Sequence, residues 1–292
     1  MAPTTMTVPP PARPLAVAGH VRSASVPCHT HPLLADVDDQ LLALRSWTSN
    51  PGPKYPLSLA HVRALLCVLD ELLRLPLAQA ALSRAADSDD GLLDGFLLLA
   101  DAFGTFLAAL VALRQHAAEL RAPRDGAKLA SAAREQRQAG RELEQLANAV
   151  AREAARCARG PAAAAAGGMG GETHAEAAEV ARAVAEAVND TAAAAAAVFL
   201  EVGSVADAAA ALASPASAST KKSRLPPLSR TSKQRTTVMG DGGEERREGA
   251  ALEKLQELEQ CVRELESESE KVFRSLVQTR VSLLNIHTPM FF

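Results

Sequence analysis

From Leu255 to Leu283, side chains of one kind recur alternately three and four residues apart. Leu255, Leu258, Val262, Leu265, Val272, Leu276 and Leu283 occupy this seam, with polar Ser269 and Thr279 at two of its positions. A repeat of that period draws one apolar stripe along a helix and cannot line one face of a strand. Glu253, Lys254, Glu257, Glu259, Arg263 and Glu264 flank the stripe and suit the solvated side of the same helix. The seven apolar residues are expected to bury against another helix, in this chain or on a partner. Spacing alone leaves the two open.

The helical period runs through most of the chain. Leu34, Val37, Leu41 and Leu44 recur at helical spacing after Pro32, a residue suited to a first helical turn. Asn50-Pro51-Gly52-Pro53 stops that helix. Ser58 is expected to cap a second helix, whose apolar face runs from Val62 to Leu73. Pro76 starts a short third element. Leu92 to Leu113 is apolar enough to span a bilayer, but Asp94 and Asp101 lie seven apart on one helical face, which suits a bundle helix better. A charged helix over 126–159 carries a thin stripe of Leu129, Leu143, Leu146 and Val150. An Ala-rich helix over 173–212 carries a row of valines, and alanine buries so little area that loose packing is expected there. No strand alternation is found. The expected fold is all-α, an elongated helical bundle with a C-terminal heptad-bearing helix and a disordered N-terminus and linker. The divisions are a tail over 1–30, a helical domain over 31–213, a basic linker over 214–249 and the C-terminal helix over 250–288.

Composition narrows the function. The 292 residues carry a formal charge of −3, so no whole-molecule field points to nucleic acid. The four cysteines are scattered, with no CxxC pair, and read as free thiols of a reducing compartment. Cys67 is expected on an apolar helical face. The N-terminus lacks a basic segment followed by an unbroken apolar run, so no secretory signal is expected. Residues 1–35 hold Arg13, Arg22 and, before Asp36, no acid, a faint likeness to an organelle transit segment.

Candidate chemistry is sparse. His20, Cys28, His29 and His31 crowd one stretch, but their spacing does not let four ligands converge tetrahedrally, and helix capping is the better role for His31. The glycines of 160–171 follow no strand and lead to no phosphate-loop ending. Asn189-Asp190-Thr191 is formally a glycosylation sequon and is expected to be ordinary helix surface. No nucleophile elbow is present, and Glu264, Glu266, Glu268 and Glu270 read as solvating charges on the heptad helix. No enzyme, cofactor or metal is expected. The linker cations Lys221, Lys222, Arg224, Arg230, Lys233 and Arg235 stand without acid and suit an anionic lipid surface. They have no aromatic neighbours for base stacking, which disfavours nucleic acid.

Three stretches carry a family likeness: "HVRSASVPCHTHPL" with "LLALRSW", "LLRLPLAQAAL" with "LLDGFLLLADAFG", and "KVFRSLVQTRVSLLNIHTP". Their order resembles the plant-specific BYPASS-like family of proteins of unknown function. The resemblance implies a helical plant protein associated with root and shoot development, with no agreed catalytic motif and no functional residues to transfer. The expected function is a non-catalytic scaffold or regulator that meets a protein partner through helical surfaces, with self-association also open. The alternative is a peripheral membrane protein that touches anionic lipid through the basic linker and an apolar helix. The expected location is intracellular and cytoplasmic, with membrane surface, plastid and nucleus as alternatives.

Overall fold

The computed structural model describes residues 31–50, 58–85, 90–122, 126–157, 172–213 and 241–288. Seven helices and no strand occur among them: α1 (Pro32–Ser49), α2 (Ala60–Leu73), α3 (Pro76–Ala85), α4 (Asp90–Arg121), α5 (Gly126–Cys157), α6 (Glu172–Ala213) and α7 (Asp241–His287). The all-α expectation holds. The tail over 1–30 and the linker cations Lys221 to Arg235 lie outside the described residues. The last helix begins at Asp241 rather than 250.

The four long helices form an up-down-up-down bundle. On α4 and α7, Arg114 pairs with Glu266 and Arg121 with Glu259, so the two run antiparallel. Gly140 of α5 faces Gly203 of α6, and Cys157 and Val188 meet at Gly95 of α4. That order makes α5 antiparallel to both neighbours. The pairing of α5 with α6 is the most extensive in the molecule, followed by α4 with α7. Helices α1, α2 and α3 pack along α6 and α7.

Local chemistry explains the helix starts. His31 is the N-cap of α1, and its Nδ1 accepts the Leu33 N–H at 3.2 Å, with Pro32 in the first turn. Such a cap contributes about 1 kcal/mol. The start of α2 differs from the expectation. Its N-cap is Leu59, which has no capping side chain. Ser58 stands one residue earlier, where its Oγ accepts the Ala60 N–H at 3.1 Å.

The core is aliphatic with one aromatic knot. Phe106 of α4 stacks on Phe199 of α6 at 4.2 Å, and Phe103 meets Phe199 edge-on at 5.6 Å. Edge and offset contacts of this kind add about 0.5–1.5 kcal/mol beyond area burial.

The Ala-rich pairing of α5 and α6 is tight, contrary to the expectation. A Cβ on Gly203 would sit 2.9 Å from the Gly140 carbonyl oxygen, so the two backbones touch. Small residues trade buried area per side chain for close approach of the helix axes. Gly91–Arg121 and Ala177–Ala213 are each long and apolar enough to cross a membrane, and about half of the most apolar stretch of each is buried against other helices. Asp94 and Asp101, expected on one face of α4, are both exposed.

Candidate functional site

The seam of α7 is filled by the chain itself. Leu255, Leu258, Val262, Leu265, Val272, Leu276 and Leu283 are all buried against the bundle, and the same alternation extends to Ala251 and Ile286. The sequence left open whether this stripe meets the chain's own helices or a partner's. In this structure it meets α2, α3, α4 and α6. Each buried leucine or valine contributes about 1.5–3 kcal/mol of gross transfer energy. Ser269 and Thr279 are buried in the same seam, and their hydroxyls have no hydrogen-bond partner among the described residues. Unpaired buried hydroxyls cost about 1–3 kcal/mol each. Polar groups at seam positions oppose sliding of one helix past another, which is a gain in register.

Glu259, Glu266 and Glu268 of α7 are clamps rather than solvating charges, whereas Glu264 and Glu270 are exposed, as read. Glu266 accepts from Arg114 at 2.6 Å, and Glu259 accepts from Arg121 at 2.7 Å. Glu268 accepts the backbone N–H of Leu59 at 2.6 Å and so caps α2 from another helix. Glu270 does pair locally, with Arg274 one turn on.

A second charge array fastens α1 to α6, and the sequence reading did not find it. Asp38 meets Arg182 at 3.5 Å, Arg182 meets Glu186 at 2.6 Å, Glu186 meets Arg45 at 2.8 Å, and Arg45 meets Asp190 at 2.6 Å. Signs alternate along the whole ladder. Burial raises the Glu186 carboxyl, but hydrogen bonds from Arg45 and Arg182 outweigh it and hold the group below its ordinary range. Burial pushes the Asp190 carboxyl up against the pull of Arg45. Asp190 and Thr191 are therefore core positions, and only Asn189 of the formal sequon is exposed. The legible half of this array was the one-turn spacing of Arg182, Glu186 and Asp190 on α6.

The described cysteines are free, as read, but Cys67 departs from its expected apolar face. Cys67 is exposed, whereas Cys261 is buried in α7. Burial, with Glu264, Glu257 and Glu201 nearby, pushes the Cys261 thiol up to about 12. Among the described residues no group of three or more His, Cys, Asp or Glu is arranged to hold a metal. His20, Cys28 and His29 lie outside them.

Exposed large aliphatic side chains occur on several helices, among them Leu42, Val111, Leu200 and Leu252, and three more lie on the outer sides of α4 and α7. Phe273 lies against Gly104, which marks the outer groove between α4 and α7. Helical phase puts Leu97 about 20° from Gly104 on α4, and puts Val277 and Val281 about 40° and 80° outward from Phe273 on α7. Leu97, Val277 and Val281 are all exposed.

The class these features define is an all-α bundle in which ion pairs such as Arg45–Glu186, Arg114–Glu266 and Arg121–Glu259 join helix to helix. The chain belongs to the BPS1 family, described as Protein BPS1, whose profile matches residues 58–286. This is a plant family linked to development, consistent with the BYPASS-like resemblance. No curated protein and no solved structure matches the chain.

Proposed function

We propose that the protein is a non-catalytic helical scaffold or regulator in plant development, and that it acts by docking an apolar-faced helix of a partner protein. The observation that carries this is that Leu97, Val277 and Val281 are exposed on the outer sides of α4 and α7, two neighbouring helices, while the heptad seam is buried. Exposed aliphatic residues on neighbouring helices suit contact with the apolar face of another helix. The use of the ionic groups supports a non-catalytic role. Arg45, Glu186, Asp190, Arg114, Glu266 and Glu268 join helices to one another and converge on no common point.

Leu97→Glu, Val277→Glu and Val281→Glu, combined in one chain, test the reading. These positions are solvent-exposed, so the melting curve is expected to stay near that of the parent. Proteins that co-purify with the parent from plant tissue are expected to be lost. A variant that keeps both its fold and its partners overturns the proposal.

A further inference from the structure

The outermost cations of α5 form one row. At 100° per residue, Arg134, Arg141, Arg152 and Arg156 fall within about 40° of one line along the helix. The amide side chains of Gln138, Gln145 and Asn148 lie between them on the same line, and all of these residues are exposed. At 1.5 Å per residue the row is about 33 Å long. No carboxylate falls on it: Glu135, Glu142 and Glu153 stand about 80–100° to one side, and Glu144 about 80° to the other.

On other helices, Arg45, Arg114, Arg121 and Arg182 each reach a carboxylate on a different helix, whereas Arg84 and Arg263 donate to carbonyls of their own helices, Ala80 and Glu259. On the α5 row, Arg134 and Arg152 donate to carbonyls of their own helix, Ala130 at 3.1 Å and Asn148 at 3.0 Å. Arg141 donates to the amide oxygen of Gln138 at 2.6 Å. Among the described residues none of these three reaches a carboxylate. Arg156, at the end of the row, pairs with Glu153 at 2.6 Å.

We propose that this outer face of α5 docks the protein on an anionic lipid bilayer, with Arg134, Arg141 and Arg152 taking headgroup phosphates. The charge complementarity is specific in kind. Guanidinium and amide groups are donors to phosphate oxygens. The row is straight, as contact with a flat surface requires. It has no aromatic or large aliphatic side chain, so it lacks the buried anchors that concentrate energy in protein interfaces. It equally lacks stacking groups for bases. The surroundings reinforce the lipid assignment. Helix α6 runs antiparallel to α5 and ends at Ala213, beside the Arg134 end of the row. The sequence leaving that end carries Lys221, Lys222, Arg224, Arg230, Lys233 and Arg235 with no acid among them.

The inference is independent of helix docking and is tested with lipid alone. The full chain is mixed with vesicles of phosphatidylcholine, with or without phosphatidylserine, at low and high salt. Binding is expected only with phosphatidylserine, and weaker at high salt. The variant R134Q/R141Q/R152Q is expected to lose on the order of a hundredfold in affinity while keeping its melting curve. If that variant does not fold, R141Q alone is expected to lose about fivefold. Neutralising the six linker cations is a separate arm. Full retention of binding by the row variants, with all of the loss in the linker arm, overturns the proposal. So does a row-dependent affinity for duplex DNA or polyglutamate that equals the affinity for phosphatidylserine vesicles.

Discussion

The backbone N–H of Leu59 donates to Oε2 of Glu268 at 2.6 Å, across 209 positions of sequence. The first turn of α2 is thus capped by the middle of α7. Replacing Glu268 with Ala removes the acceptor without opening a core cavity. The expected cost is about 1 kcal/mol, the usual value of an N-cap. Faster amide hydrogen exchange confined to the start of α2 is the local signature that distinguishes this from general loosening.

Two glycines, Gly203 of α6 and Gly249 of α7, predict opposite signs for one kind of substitution. Gly203→Ala places a Cβ 2.9 Å from the Gly140 carbonyl oxygen, and backbone cannot swing away as a side-chain tip can. Overpacking of this kind costs about 1–3 kcal/mol, more than the roughly 1 kcal/mol that alanine gains in helix propensity. Gly249→Ala meets nothing within 4 Å and is expected to stabilise, by up to about 1 kcal/mol. Denaturant melts of the two variants read the signs directly.

The ladder between α1 and α6 gives a pH-dependent prediction. Glu186 is held below its ordinary value of 4.5, so its stabilisation is full above that value and is lost as pH falls through the lower folded value. Glu186→Gln is expected to cost about 1 kcal/mol at neutral pH, a modest figure because its arginine partners are partly exposed. The gap between parent and variant closes in acid. Asp190 acts in the opposite sense, since its raised carboxyl makes its charge a cost that acid relieves. The difference between parent and Glu186→Gln, measured against pH, isolates the first effect.

Cys261 sets an alkaline limit. Its thiol stays protonated in the fold up to about 12, from an ordinary value of 9.0, so the folded chain binds the extra proton between those values. Stability therefore falls as pH rises through that window. Cys261→Ala is expected to flatten the fall relative to the parent. In the native parent at pH 8, alkylation is expected at Cys67 and not at Cys261.

What could be read from sequence follows from the range of each interaction. The stripes Leu34–Leu44, Val62–Leu73 and Leu255–Leu283 depend only on neighbours three and four apart, and all three are buried as read. The start of α3 at Pro76 is equally local. The roles of Glu268, Arg45 and Asp190 depend on partners more than a hundred positions away, and a solvated acid and a clamping acid look alike in one dimension. The tight α5–α6 contact was missed for another reason. Alanine content reads as small buried area, whereas here Gly140 and Gly203 turn it into backbone contact.

The account rests on α7 closing the core of its own chain, which leaves partners to meet the outer surface. The direct test is the unfolding free energy of Leu265→Ala with the purified chain and no partner present. Leu265 is fully buried, and truncation at such a site costs about 2–5 kcal/mol. The account predicts a loss in that range, in one cooperative transition. A chain that unfolds at the parent's midpoint, and loses only its bound partners, would contradict it.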